Sequence, residues 1–150
     1  EIYRNIKRFP EVEQPAGTLV IRFDEELYFA NADFFRQTIE REMAKRGELT
    51  SLVIDAASMT DLDSSAAHVF AELIGSLHQR GIRVCVTNAI GPLRDQFERF
   101  GITQILGNGN FFNRNHDAVI ACGETAKTNS STDSSPGNLP PQPVLVEQTA

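Results

Sequence analysis

The chain has 150 residues, of which 41% are hydrophobic, and it carries a formal net charge of -6. This length is enough for one domain with a sizeable core. The acidic balance argues against a nucleic-acid partner, because there is no basic surplus to neutralise phosphates. No segment approaches the roughly 20 apolar residues that cross a bilayer, and no signal peptide is recognisable. We therefore expect a soluble, cytosolic fragment of a longer protein, since the sequence begins at Glu1 without Met.

The N-terminal part predicts an extended lead-in and two strands. Residues 1–17 form the lead-in, which is interrupted by prolines. The β-branched and aromatic residues over 18–23 predict a strand, and residues 27–29 predict a short second strand after a polar turn.

A helix is predicted after this second strand. Asn31 is a residue type that favours helix starts, and Gly47 is one that favours stops, so we expect a helix from Asn31 to about Arg46. Phe35, Ile39 and Met43 lie four apart and predict its buried stripe. The apolar run over 52–56 then predicts a short central strand.

The next helix is predicted to open at Ser64 and to end at Gly81. Its apolar face is expected to consist of Val69, Phe70, Leu73, Ile74 and Leu77.

Further elements follow in the same alternation. Residues 83–87 predict a strand in which Cys85 is a buried free thiol; it and Cys122 do not make a disulfide framework. A third helix is expected from Gly91, with Pro92 in its first turn. Residues 102–106 predict a short strand or turn, and residues 113–121 a last short helix. Strands that alternate with helices imply an α/β fold with a mixed sheet backed by helices.

The composition changes near Glu124, where Ser, Thr, Pro, Asn and Gly begin to dominate. Such a segment cannot bury enough apolar surface to offset its ordering entropy. We expect one domain over residues 1–123 and a disordered C-terminal tail over residues 124–150.

Three carboxylates near the end of the central strand are candidates for chemistry. Asp55, Asp61 and Asp63 could perform acid–base work or hold Mg²⁺, but Asp61 and Asp63 also suit a turn and a helix start. The histidines have no metal-ligand spacing, no Gly-rich phosphate loop is present, and no nucleophile–base pair is visible. The sequence therefore predicts no enzyme, no metal site and no cofactor.

Ser64 has two interpretations. As an N-cap, its hydroxyl would accept an N–H of the first helical turn. As a phosphorylation site, it would add nearly two negative charges beside Asp61 and Asp63, on a helix end that favours negative charge. These effects oppose each other, so phosphate would change surface charge without necessarily unfolding the helix.

Residues 52–66 resemble a family pattern. An apolar strand is followed by Asp63-Ser64-Ser65-Ala66, which resembles the Asp-Ser/Thr-Ser-Gly/Ala pattern of the STAS domain. That family includes bacterial anti-sigma factor antagonists and the cytosolic domains of SulP (sulfate permease) anion transporters. The resemblance covers about residues 1–122.

Two further segments resemble the transporter branch. Residues 3–10 look like the segment that leads out of the last SulP transmembrane helix. Tyr28, Phe29, Ala30 and Asn31 stand in a stretch that resembles the SulP strand-to-helix signature. Ala66 replaces the Gly that is usual in anti-sigma factor antagonists, which also fits the transporter branch.

The resemblance implies a STAS-type mixed central sheet of about four or five strands with helices packed mainly on one side. It implies the non-catalytic C-terminal domain of a bacterial SulP transporter of sulfate, bicarbonate or a related anion, on the cytoplasmic side of the inner membrane. The lead-in would come from the membrane part, which would be the domain's partner, and the full-length protein would be a homodimer.

The same resemblance suggests a regulatory loop at Asp61, Asp63, Ser64 and Ser65, with a cytosolic regulatory protein or a nucleotide as its ligand. The alternative is a free-standing anti-sigma factor antagonist that is switched by phosphorylation of Ser64.

Overall fold

The computed structural model describes residues 6–8, 17–23 and 29–131, and its centre is a 5-stranded sheet. The strands lie side by side in chain order. They are β1 (Ile6–Arg8), β2 (Thr18–Phe23), β3 (Ser51–Asp55), β4 (Arg83–Thr87) and β5 (Phe111–Phe112). Strand β1 is antiparallel to β2, and the other neighbouring pairs are parallel. This is the mixed sheet that the sequence predicts.

Helices connect the parallel strands, as parallel pairing requires. They are α1 (Phe29–Ala44), α2 (Ser64–Gln79), α3 (Gly91–Arg99) and α4 (Ile102–Leu106), and a further helix, α5 (Asn115–Ser131), follows the last described strand. None of the helices in the described part of the chain is long and apolar enough to cross a membrane.

The two faces of the sheet are covered unequally. Alternate strand residues such as Leu52 and Ile54 form one large apolar cluster with α1 to α4. The intervening residues Val20, Val53 and Cys85 form a small cluster with α5. Side chains of a strand alternate between the two faces of the sheet, so the same strands contribute to both clusters. Four of the five described helices pack on the larger cluster, so the helices lie mainly on one side, as expected.

A row of phenylalanine rings crosses the large cluster. The ring centroids of Phe23 and Phe35 are 5.1 Å apart, those of Phe35 and Phe70 are 5.9 Å apart, and those of Phe70 and Phe97 are 5.5 Å apart. Phe111 continues the row at 6.2 Å from Phe97. The row joins β2, α1, α2, α3 and β5, so these five elements share one interior.

Much of the predicted burial is confirmed. The stripe of α1 is buried, and so are Phe70, Leu73, Ile74 and Leu77 of α2, whereas Val69 is only partly buried. Both cysteines are buried free thiols.

One segment predicted as a strand or turn is a helix, and most of another predicted strand lies outside the described residues. Residues 102–106 form helix α4 rather than a strand or turn, because Gly101 reverses the chain at φ 77° and Ile102 and Leu106 bury one helical turn apart. Phe29 begins α1, and residues 27 and 28 lie outside the described residues. The outer strands are instead β1, within the extended lead-in, and the two-residue β5.

The C-terminal helix begins at Asn115 and runs through Glu124 to Ser131. It therefore extends beyond the boundary at residue 123 that the composition predicts, and residues 132–150 lie outside the described residues.

Candidate functional site

The candidate site lies at the edge of the sheet where the parallel strands β3 and β4 end. The N–H of Ala56 donates to the carbonyl of Thr87 over 2.9 Å, so the two strands leave the sheet side by side. The loop from residue 57 to residue 63 then leads into α2. In open α/β sheets, ligands bind at this carboxyl edge.

Asp63, and not Ser64, is the N-cap of α2. Its backbone is extended (φ -78°, ψ 165°), and its Oδ1 accepts the N–H of Ala66 over 2.7 Å. The N–H of Ala67 then bonds to the Asp63 carbonyl over 2.9 Å. The prediction that Ser64 caps the helix is therefore wrong by one residue. A carboxylate serves better here because it satisfies the first turn and also complements the helix dipole.

Ser64 and Ser65 are exposed in the first turn of α2. They face a cleft of about 400 Å³ between the starts of α1 and α2. The cleft is lined by Ala32, Asp33, Ser64, Ser65, His68 and Val69. The two serines are thus accessible to a protein or to a modifying enzyme.

Asp33 is the one carboxylate among the described residues that line the cleft. Asp33 has a side chain that is 73% exposed and pairs with Arg36 at 3.2 Å. His68 Nε2 lies 3.2 Å from Glu72 Oε1, one turn along α2. The arrangement offers two hydroxyls, a carboxylate and an imidazole to a partner.

Asp61 is held by helix α3. Its Oδ1 accepts the side-chain amide of Gln96 and also the N–H of Leu62, the latter over 2.8 Å. These two hydrogen bonds, that of Gln96 first, hold the pKa of Asp61 below its ordinary 3.8, and the charge of Arg99 adds to them. The loop is therefore fixed against α3, although Asp61 itself is exposed.

Asp55 is separated from the other two carboxylates. It is 2% exposed. Its Oδ1 accepts Asn88 Nδ2 over 3.0 Å and the N–H of Ala57 over 2.9 Å, and its Oδ2 accepts Asn115 Nδ2 over 2.8 Å. The predicted cluster of three carboxylates is not formed, and no group of three metal-ligating side chains occurs in the described ranges.

The sequence did not lead us to the amides that organise this edge. Asn88 lies in the left-handed region at φ 57°, a conformation that Asn tolerates better than most residues. Asn115 also accepts the Thr87 hydroxyl. An Asn directly after a strand was the available signal for Asn88, but Gln96 and Asn115 lie in separate helices and carry no comparable local pattern.

The signature residues lie at the start of α1. Asn31 is fully buried within the helix and does not act as its N-cap, because the helix already begins at Phe29. Ala30 is exposed, Tyr28 lies outside the described residues, and only the backbone of Phe29 is described.

Comparison with protein families identifies this architecture. Residues 9–118 match the model of the STAS domain.

Curated relatives with similar sequences are plant proteins. The chain is 28% identical over 131 residues to "High affinity sulfate transporter 2" of Stylosanthes hamata and 32% identical over 131 residues to "Sulfate transporter 1.2" of Arabidopsis thaliana. Each match covers 81% of this chain but 20% of the relative, so the chain spans about a fifth of their length.

Solved structures share the fold. A sulfate transporter family protein from Wolinella succinogenes matches with a TM-score of 0.70 and 16% identity over 78% of this chain and 93% of that one. The STAS domain of a SulP transporter from Vibrio cholerae matches with a TM-score of 0.60 and 20% identity over 78% and 87%.

The anti-sigma factor antagonist SpoIIAA, in its unphosphorylated form, matches with a TM-score of 0.59 and 18% identity over 80% of this chain and 96% of that one. At these identities the structures show the fold alone. The family model and the sequence relatives together show that the chain belongs to the STAS domain family and is homologous to the STAS domains of sulfate transporters.

Proposed function

We propose that the chain is the cytosolic C-terminal STAS domain of a SulP-type anion transporter, and that it supports assembly and regulation of transport without catalysis. The observation that carries this proposal is the unequal coverage: 81% of the chain matches only 20% of each sulfate transporter. The remainder of such a protein provides the transmembrane part, which is the partner of this domain. Sulfate, bicarbonate or a related anion is the substrate, the full-length protein is a homodimer in the cell's inner membrane, and this domain lies on the cytoplasmic side of that membrane.

The cleft beside Ser64 is the regulatory surface in this proposal. Asp63 supplies the capping hydrogen bond of α2, so a change at Ser64 leaves the start of the helix in place. Ser64 and Ser65 are exposed beside the cleft. A modification or a regulatory protein can therefore act there without unfolding the domain.

Phosphate on Ser64 would be electrostatically balanced. The end of α2 favours a negative charge, whereas Asp33, Asp61 and Asp63 raise the local negative potential. Because these effects oppose each other, the modification alters what the surface binds more than whether the helix forms. The same acidic surface favours a basic protein segment over a free nucleotide.

The test uses the full-length transporter with three variants of one residue. Ser64→Glu adds a charge, Ser64→Gln adds similar bulk without charge, and Ser64→Ala removes the hydroxyl. We expect uptake of labelled sulfate or bicarbonate, normalised to transporter in the membrane, to change in Ser64→Glu and to stay near wild type in the other two. Equal uptake in all four proteins would exclude charge at Ser64 as a regulator, and the labelled anion that accumulates identifies the substrate.

The anti-sigma factor antagonist remains a second candidate, and its support is the similarity that covers 96% of SpoIIAA. The two candidates differ in what precedes Glu1 in the gene. A series of apolar segments, each of about 20 residues, supports the transporter, and a start codon next to Glu1 supports the antagonist.

A further inference from the structure

The two cysteines of the chain meet on the smaller face of the sheet. Cys85 lies in β4 and Cys122 in α5, with 36 residues between them, and their Sγ atoms are 3.8 Å apart. Both side chains are buried, at 0% and 1% exposure. Neither residue belongs to the loop site, which lies at the carboxyl edge of the sheet.

Arg83 holds the surroundings of this pair together. Its Nε donates to Asn110 Oδ1 over 2.8 Å, and its Nη1 donates to the carbonyl of Ala121, the residue before Cys122, over 3.2 Å. Asn110 Oδ1 is also 3.7 Å from Cys85 Sγ. A guanidinium charge therefore stands beside both thiols and is fixed to the backbone of α5.

The two thiols differ in acidity. The hydrogen bond from Cys85 lowers the pKa of Cys122 to about 6, and Ser51 and the charge of Arg83 act in the same direction. The same hydrogen bond, together with burial, raises the pKa of Cys85. Cys122 is therefore the more acidic thiol of the pair and the one better suited to attack a disulfide, which is the asymmetry that thiol–disulfide exchange uses.

We propose that Cys85 and Cys122 form a redox-sensitive pair that closes a reversible disulfide between β4 and α5, with a low-molecular-weight disulfide such as oxidised glutathione as the oxidant. A disulfide places its sulfurs about 2.05 Å apart, and the fold already holds them at 3.8 Å.

The exchange balances in two steps. The Cys122 thiolate attacks one sulfur of oxidised glutathione, forming a mixed disulfide and releasing one glutathione thiolate. Cys85 then loses its proton and attacks the sulfur of Cys122, which breaks the mixed disulfide and releases the second glutathione thiolate. The protein loses two electrons and two protons in total, and oxidised glutathione is reduced to two molecules of glutathione.

Access to the buried pair comes from the weak packing of α5. In the described residues the buried apolar side chains that the helix contributes to this cluster are Ala118, Val119 and Cys122, which are small. Elements that bury little apolar surface open locally at a lower free energy than the whole domain. Opening of α5 exposes Cys122 to the oxidant, and closing returns it to Cys85, so the disulfide locks the helix to the sheet.

The experiment treats the 150-residue chain with oxidised glutathione under native conditions, then denatures it and alkylates the remaining thiols. We expect the wild type to lose both free thiols and two hydrogen atoms in mass while it stays monomeric. Its melting temperature should rise by roughly 10 °C. Cys85→Ser should stop at one bound glutathione on Cys122, because the resolving thiol is missing. Cys122→Ser should react far more slowly at its remaining buried thiol.

Several outcomes would overturn the proposal. They are two alkylated thiols after treatment, two bound glutathiones in the wild type, or disulfide-linked dimers on a non-reducing gel. The mass of the treated wild type decides the question even if a serine variant fails to fold, which circular dichroism of each variant will show.

Discussion

The two faces of the sheet belong to the same strands, but different kinds of side chain pack against them. The face toward α1 to α4 carries large side chains and the row of phenylalanines from Phe23 to Phe111. The cluster between the sheet and α5 contains, among the described residues, three valines, an alanine and two thiols, contributed by both the strands and the helix, and the start of α5 is held by hydrogen bonds to Asp55 and Thr87. Large apolar burial stabilises the first face, whereas directional polar contacts position the second. A domain of this kind can keep one face intact while the other opens.

The largest expected effect is at the centre of the phenylalanine row. Phe70→Ala should lower the free energy of unfolding by about 3–5 kcal/mol, because it removes a ring that packs between Phe35 and Phe97 and leaves a cavity. Urea unfolding measures this value. Val119→Ala on the α5 face is the comparison variant and should cost about 1–2 kcal/mol. If Val119→Ala costs as much as Phe70→Ala, the faces are equally important and the comparison fails.

The next effect tests the polar attachment of α5. Asn115→Ala leaves the buried Asp55 Oδ2 and the Thr87 hydroxyl without this partner and should cost about 1–3 kcal/mol. Hydrogen exchange should accelerate in the amides of α5 and stay unchanged in those of α2. The exposed Asn113, changed to Ala, is the control. Equal acceleration in both helices would mean that α5 does not open independently.

A smaller effect separates the cap of α2 from its neighbour. Asp63→Ala should destabilise the domain by about 1 kcal/mol, because the first turn loses the hydrogen bond from Ala66. Ser64→Ala should change stability by only a few tenths of a kcal/mol, since Ser64 is exposed within the first turn. Thermal melting of both variants measures the difference. A larger loss of stability in Ser64→Ala than in Asp63→Ala would show that Ser64, and not Asp63, caps the helix.

The smallest effect is the titration of Asp61. Gln96→Ala removes the main hydrogen bond that lowers the pKa of Asp61, so this pKa should rise toward 3.8. A lowered pKa in the folded state adds stability that is present above the unfolded value and is lost as the pH falls through the folded value. The stability of the Gln96→Ala variant should therefore depend less on pH in this acidic range, because only the Leu62 N–H and the charge of Arg99 still lower the pKa of Asp61. Carboxyl NMR titration measures the pKa, and an unchanged value would show that α3 does not hold the loop.

The parts of the fold that the sequence predicted are those with a strong local pattern. Patterns of this kind can be recognised within a few residues, as in the buried stripe of Phe35, Ile39 and Met43 and in the apolar run of β3. By contrast, Ile102–Leu106 is apolar enough for either a strand or a helix, and only packing against α2 and α3 decides for α4. Short apolar segments are ambiguous in this way because their period cannot be determined.

The candidate site was predictable in its position but not in its internal roles. The strand, acidic loop and helix around Asp63 are visible in the sequence, yet Asp63 and Ser64 are both residue types that cap helices. Only the backbone geometry assigns the cap to Asp63. The partner of Asp61 is Gln96, which is 35 residues away, and the partner of Cys85 is 37 residues away. Such pairings form only when the sheet is assembled, so no short-range pattern in the sequence indicates them.

The strand order also has a kinetic consequence. Each of the described strands pairs only with its neighbours in the chain, and none inserts between two earlier ones. A nascent chain can therefore add strands in the order of synthesis, without reopening a ladder that has already formed. Sequential pairing limits the separation between paired strands to the length of a single connection, whereas any other order of these strands would pair residues further apart in the chain and slow folding. Among the described elements, helix α5 is synthesised after all five strands and packs on a sheet that is already complete.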